Sequence, residues 1–359
     1  MRRTNGKGSW PEFESAPINR RSWLKAAAWL GWVAWCAPNL GCRPTESGNG
    51  ANGSASSRGP LRVVVTVGMV GDLVREVGGP HIAVTQLMGA GVDPHLYKAT
   101  RDDVQAIMAA DGVIYSGLML EGKLADTLQK ISSQKPVFAV TDQLPHDRLL
   151  SDAATPDHPD PHVWMDVSAW SECVLRVASI LSQLDPAHAA DFNQAAEAYR
   201  LRLQRLHAYG VQSISTIPAS KRVLVTSHDA FRYFGRAYGL EVEGIQGIST
   251  ESEAGLQRIN ALVDLLVNRQ VEAVFVESSV PRKNVDALVD GVRARGHQIH
   301  IGGELFSDAM GSAGTYEGTY EGMLDHNITL VTRSLGGQAD PRGLNGKLTP
   351  AHSPGTTTP

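Results

Sequence analysis

From Leu61 onward, two hydrophobic rhythms alternate along the chain. Short unbroken apolar runs such as LRVVVTV (61–67), GVIYSG (112–117) and PVFAVTD (136–142) have the length and β-branched content of buried strands. Between them lie segments with apolar residues three and four apart, such as GMVGDLVREVGG (68–79), TRDDVQAIMAAD (100–111) and KLADTLQKISSQ (123–134), which predict helices. Strand-like runs that alternate with helical ones predict parallel βα units. In TRDDVQAIMAAD, Thr100 and Asp103 have the spacing of a capping box.

The rhythm breaks once. Residues 187–217 are rich in Ala, Leu, Gln, Glu and Arg, with no proline inside, and predict a single long helix at mid-chain. Alternation then resumes: strands at KRVLVTS (221–227), LEVEGIQG (240–247), VEAVFVESS (271–279) and QIHIGGELF (298–306), with helices between and a last helix over 319–337. In PRKNVDALVDGVRARG (281–296), Pro281 is expected in the first turn and Gly296 past the end. This divides the chain into an N-terminal α/β lobe (61–186), a connecting helix (187–217) and a C-terminal α/β lobe (218–336). TYEGTYEG (315–322) is a tandem duplication, expected to be a loop insertion. Residues 337–359, rich in Pro, Gly and Thr, are expected to be a disordered tail.

The segment before Leu61 has a different character. Arg20-Arg21-Ser22-Trp23-Leu24-Lys25 precedes AAAWLGWVAWCAP, which is too short to span a membrane comfortably and suits a signal sequence. The arginine pair resembles a twin-arginine export signal, the alternative being an ordinary Sec signal. NLGC at 39–42 resembles a lipoprotein cleavage box, with Asn39 departing from the usual aliphatic residue. Residues 1–42 thus read as signal, Cys42 as a lipid attachment point, and 43–60, rich in Gly, Ser and Asn, as a flexible leash. The mature protein is expected outside the cytoplasm, anchored to a membrane.

Composition adds two exclusions. The 359 residues carry a net charge of only −4 and no basic patch of the kind a nucleic-acid binder needs. Of three cysteines, Cys36 lies in the signal and Cys42 at its end, which leaves Cys173, on the apolar side of a helical pattern, as a buried thiol and not a ligand.

Four polar residues occupy one kind of position. His95 follows Asp-Pro in GVDPHLYKAT, and His162 follows Asp-Pro in HPDPHVWMD. His228 ends a strand in VLVTSHDAFRYF, and Asp308 follows the last strand in GGELFSDAMG. Proline stiffens the turn that presents each of the first two histidines. Singly, each has an ordinary structural reading: a turn residue, a helix cap, an N-cap. Together they lie at the carboxyl ends of strands, where open α/β sheets bind ligands, two from each lobe. Four N/O donors from separate loops are what a divalent transition metal needs.

These motifs, with VFVESSVPRKNVDAL and GTYEGMLDHNITLV, give the chain from Leu61 to about Gly336 a resemblance to the TroA-like zinc and manganese solute-binding proteins of bacterial ABC importers, some of which were first called adhesins. The resemblance implies two Rossmann-like α/β lobes with parallel sheets, one long backbone helix between them and a metal in the interlobe cleft. It implies His95, His162, His228 and Asp308 as ligands, with Glu277 in a motif outside the ligand set. Asp93 and Asp160, ahead of the Pro-His pairs, are expected to orient loops or imidazoles. The cargo implied is Mn²⁺ or Zn²⁺. Only His146 and His158 precede His162 where zinc-specialised members carry a His-rich loop, which moves the expectation toward manganese. The partners implied are a permease and a separate ATPase, since no P-loop is present here. A monomer is expected. Competing readings are a zinc-dependent metalloenzyme, which would need an open metal position and a general base, and a surface adhesin built on the same fold.

Overall fold

The computed structural model describes residues 59–152 and 155–349. The signal segment, residues 43–58 of the leash and Pro350–Pro359 lie outside the described residues. In the N-terminal lobe, β1 (Leu61–Val65), β2 (Ile82–Gln86), β3 (Gly112–Tyr115) and β4 (Val137–Ala139) form one parallel sheet in the order β2-β1-β3-β4. Val63, Val64 and Val65 of the inner strand are all buried, as a strand covered on both faces requires. Helices α1 (Gly68–Gly78), α2 (Arg101–Ala109) and α3 (Gly122–Ser132) make the crossovers. The expected capping box is formed: the Thr100 hydroxyl accepts from the Asp103 amide, and the Asp103 carboxylate accepts from the Thr100 amide.

A short antiparallel hairpin, β5 (Ser151–Asp152) and β6 (Thr155–Pro159), follows where the sequence reads as loop. It lacks hydrophobic alternation, so the pattern gives no sign of it. Helix α4 (Val167–Leu184) begins at Asp166, whose carboxylate accepts from the amides of Ser168 and Ala169, and buries Cys173 completely.

The long helix is α5 (Ala189–Ser215), 27 residues and so roughly 40 Å long. Its buried stripe, Phe192, Ala196, Tyr199, Leu203, Leu206, Gly210 and Ser213, repeats every three or four residues and packs on α1, α4 and the last helix, α9 (Tyr320–Ser334). Gly210 is required there: a Cβ would stand 2.6 Å from the Tyr238 ring.

In the C-terminal lobe, β7 (Val223–His228) pairs in parallel with β8 (Glu241–Gln246), and β9 (Ala273–Glu277) with β10 (His300–Leu305). β7 also runs beside β9. One side of this layer packs Val223, Val225 and Val274 on Leu262, Leu266, Leu288 and Val292 of α7 (Leu256–Asn268) and α8 (Lys283–Ala294). On the other side Leu224, Phe275 and Leu305 join the larger core, which includes the N-terminal sheet, α4 and α5. α6 (Arg232–Tyr238) ends at Gly239, in the left-handed region at φ 77°. No described helix is long and apolar enough to cross a membrane.

Three expectations need correction. TYEGTYEG is no loop insertion: its second copy provides the N-cap Thr319 and the first turn of α9, and Tyr320 is fully buried with its hydroxyl on the Trp164 carbonyl at 2.7 Å. The tail is not disordered from residue 337. The Leu344 and Asn345 amides donate to the Asp325 carboxylate (2.8 and 3.5 Å), and Leu348 is buried. A buried carboxylate in α9 supplies the acceptors that compensate for the segment's few apolar residues. Pro281 stands just before the N-cap Arg282 and not in the first turn, while Gly296 closes α8 at φ 79° as expected.

Candidate metal centre

His95 lies in the loop between β2 and α2, and His162 in the turn before α4. His228 is the last residue of β7, and Asp308 follows β10. Chain topology brings all four together: each offers one donor atom, and those atoms lie within 4.8 Å of one another. His228 Nε2 is 3.1 Å from Asp308 Oδ2, His162 Nε2 is 3.3 Å from Asp308 Oδ1, and His95 Nε2 is 3.8 Å from Asp308 Oδ2. The Nε2 atoms of His95 and His162 are 3.3 Å apart. Relative exposures are 4 % for His95, 0 % for His162 and His228 and 1 % for Asp308, so His95 alone reaches toward solvent.

Each position has a local cause. The Asp93 carboxylate accepts from the His95 amide at 2.8 Å, and Asp160 does the same for His162 at 3.0 Å, so each Asp-Pro-His closes into a tight turn. Asp160 also holds the His162 ring, Oδ1 to Nδ1 at 2.7 Å. Glu277, at the end of β9, holds His228 twice: Oε1 accepts from its amide at 2.9 Å, and Oε2 faces its Nδ1 at 2.6 Å. Both rings are therefore held from behind with Nε2 aimed into the cluster, as for a metal-bound imidazole. Asp93 orients the loop and not the ring of His95.

Trp164 ties the two lobes together at this level. Its Nε1 donates to the Ser307 carbonyl next to Asp308 at 2.9 Å, while its ring stands edge-on to His162. The Tyr233 hydroxyl adds a second tie, to the Asp160 carbonyl at 2.9 Å.

Charge is concentrated here. Burial works against protonation of His162, but Asp160 and Asp308 outweigh it and raise its pKa to about 9. His228 is raised well above the ordinary value because Glu277 and Asp308 overcome the same burial. Burial dominates at His95 and lowers its pKa to about 4. Burial would raise Asp308, yet His228 and His162 hold it well below the carboxylate range. Asp308 Oδ1, Asp308 Oδ2 and His228 Nε2 are buried without a hydrogen-bond partner among the described residues, although a few ångströms separate them. Buried polar atoms left this way are costly unless something else satisfies them. A cation at their common centre would do so.

The description "ZnuA: Zinc-uptake complex component A periplasmic" belongs to a family model that matches residues 63–333. This chain is a member of that family. It therefore belongs with the solute-binding proteins of metal ABC importers, a transport class whose members work with a permease and an ATPase. The manganese-binding lipoprotein MntA of Bacillus subtilis is 46 % identical over 295 residues, 82 % of this chain and 94 % of that protein. The zinc-binding protein TroA of Treponema pallidum is also 46 % identical, over 286 residues, 80 % and 92 % of the two chains. The solved structure of TroA matches with a TM-score of 0.75, covering 77 % of this chain and 99 % of that one. Fe(III)-bound YtgA from Chlamydia trachomatis matches at 0.71 and 26 % identity, with the same coverage of each chain. These matches agree with the architecture expected from the sequence, and the printed names of the relatives and neighbours span three metals.

Proposed function

We propose that this chain captures one Mn²⁺ or Zn²⁺ ion on His95, His162, His228 and Asp308, between lobes spanning 61–186 and 218–336, and hands it to a membrane permease. The observation that carries this reading is the group of four converging donors, with both Asp308 oxygens and His228 Nε2 buried and unpartnered. Three imidazoles and one carboxylate oxygen make a tetrahedral set suited to Zn²⁺; the second Asp308 oxygen extends it to five donors, which suits Mn²⁺. Intrinsic affinity favours Zn²⁺, so the cargo in the cell depends on metal supply as well as on the site. A full shell of protein donors leaves no open position for substrate, which favours a binding protein over a zinc hydrolase. We read the chain as an exported monomer anchored through a lipid on Cys42, with 187–217 as the connector.

The first test is thermal unfolding of the chelator-stripped protein with Mn²⁺, Zn²⁺ or Mg²⁺ added in turn, beside His228→Ala. A ligand that binds only the folded state raises the midpoint. Mn²⁺ and Zn²⁺ are expected to raise it, Mg²⁺ not, and the variant to lose the response. A midpoint indifferent to all three ions would sink the proposal.

A further inference from the structure

We infer that the hydrogen bond from Thr250 to Asp93 is a latch across the cleft, and that it sets how fast the bound metal is released. The inference rests on the metal reading above. Thr250 lies in the loop between β8 and α7 of the C-terminal lobe, and Asp93 in the His95 loop of the N-terminal lobe. The Thr250 hydroxyl donates to Asp93 Oδ2 at 2.6 Å, while Asp93 Oδ1 accepts from the His95 amide at 2.8 Å. One carboxylate thus connects the backbone of His95 to the opposite lobe. Thr250 is buried, and a hydrogen bond to an ionised acceptor there is among the stronger kinds.

The bond is not needed by Thr250's own neighbourhood. Its loop is already tied by Gln246, whose Nε2 donates to the Ser252 carbonyl at 3.1 Å. The helix that follows starts at Gly255 without a side-chain cap. The hydroxyl is used across the cleft instead of within its own lobe.

His95 is the donor that such a latch would control. His162 and His228 are held at Nδ1 by Asp160 and Glu277, so only their own buried surroundings could release them. His95 takes its place from its loop and is the most exposed of the four. Opening the Thr250–Asp93 bond frees that loop and withdraws one ligand, leaving the ion on the remaining three.

The test is the release rate of Zn²⁺, measured by stopped flow on mixing loaded protein with excess chromogenic zinc chelator. Thr250→Val keeps the shape and removes the hydroxyl; Thr250→Ser keeps the hydroxyl. Thr250→Val is expected to release Zn²⁺ about tenfold faster, as loss of one charge-assisted bond implies. Its association rate should match that of the wild type, its metal-free melting midpoint should fall by less than its loaded one, and Thr250→Ser should release at the wild-type rate. Equal release rates for Thr250→Val and wild type would overturn the latch. So would a Thr250→Val whose metal-free midpoint falls as far as its loaded one, since the bond would then be plain structural support. A wild type that fails to retain Zn²⁺ at all would overturn the site reading itself, and the latch with it.

Discussion

Two of the three histidines in the cluster are built in, and the third is hung on a loop. His162 and His228 have a buried carboxylate behind each ring, at 2.7 and 2.6 Å, and their surroundings are fastened across the lobes by Trp164, Tyr233 and Tyr320. His95 is positioned through its amide by Asp93, and Asp93 reaches the other lobe through one hydroxyl. Protonation follows the same division. The carboxylates that fix His162 and His228 also load them with protons, whereas burial keeps His95 neutral. A receptor that delivers its cargo has to hold the ion and also let go of it. On the metal reading proposed above, a rigid three-donor half with one movable donor meets both requirements.

The largest effect expected is from Asp308→Ala. Asp308 is the one anionic donor and lies within 3.8 Å of all three imidazoles. Without it three neutral-atom donors face one another with no anion to balance the ion's charge, and affinity for Zn²⁺ should fall on the order of a thousandfold or more. His95→Ala should cost clearly less, because water can take the vacated position at the cleft mouth. Isothermal titration of both variants, with circular dichroism to confirm folding, makes the comparison. Equal losses would mean that the cluster has no movable member.

Acid should act next most strongly, and on the rigid half. His162 has a pKa near 9 in the metal-free protein, so near neutral pH a metal must displace its proton. Affinity should therefore rise by at least about tenfold per pH unit from 6 to 8. Stability of the metal-free protein runs the other way. A folded-state pKa raised above the unfolded value contributes stability that is fully present below the unfolded pKa. That contribution is lost as pH rises through about 9. The gap between loaded and metal-free midpoints should narrow steadily from pH 8 to 6. A gap that stays constant over that range would mean that neither rigid histidine carries a proton to displace.

Removing a carboxylate behind a ring should be milder. Glu277→Gln and Asp160→Asn leave every donor in place but remove the charge that orients and strengthens it, for about 10–100-fold in affinity. Both should also lower the pKa of the histidine they face, readable by NMR titration of the ring protons in the metal-free protein. Variants with unchanged ring titrations would show that these carboxylates brace the loops and do little for the rings.

How much of this was legible in the sequence depends on whether the signal was local. The βα alternation was, because a strand buried on both faces has to read as a run like Val63-Val64-Val65. The Thr100 capping box was legible for the same reason. The four residues proposed as ligands could be picked out as a set because they share a topological position and fall in family motifs, and the structure brings their donor atoms together. What stayed hidden depends on distant partners. Tyr316 and Tyr320 occupy identical TYEG units, yet one bonds Asp325 in a half-buried turn while the other fills the core beneath Trp164. Nothing in the repeat distinguishes them; the packing of α9 on α5 and α1 does. The ordered tail depends on Asp325, and the Thr250 contact spans 157 positions in the chain. Trp164 stood in a recognised motif, but its bond to Ser307 needs the folded cleft.

The smallest effect expected is from Lys123→Ala, and its smallness is informative. Lys123 on α3 pairs with Glu251 at 3.4 Å, so this ion pair crosses the cleft beside the Thr250–Asp93 bond. By count of contacts the two bridges look alike. They differ in solvation: the Lys123 and Glu251 side chains are 35 % and 51 % exposed, so water and salt screen their attraction, and holding two long side chains in one geometry cancels much of the rest. Lys123→Ala should change the Zn²⁺ release rate by less than about twofold at physiological salt, with any difference confined to low ionic strength. If it instead released Zn²⁺ as fast as Thr250→Val, long-range charge and not one buried hydroxyl would be holding the His95 loop. Release from the wild type would then accelerate as salt is added, which the buried bond does not predict.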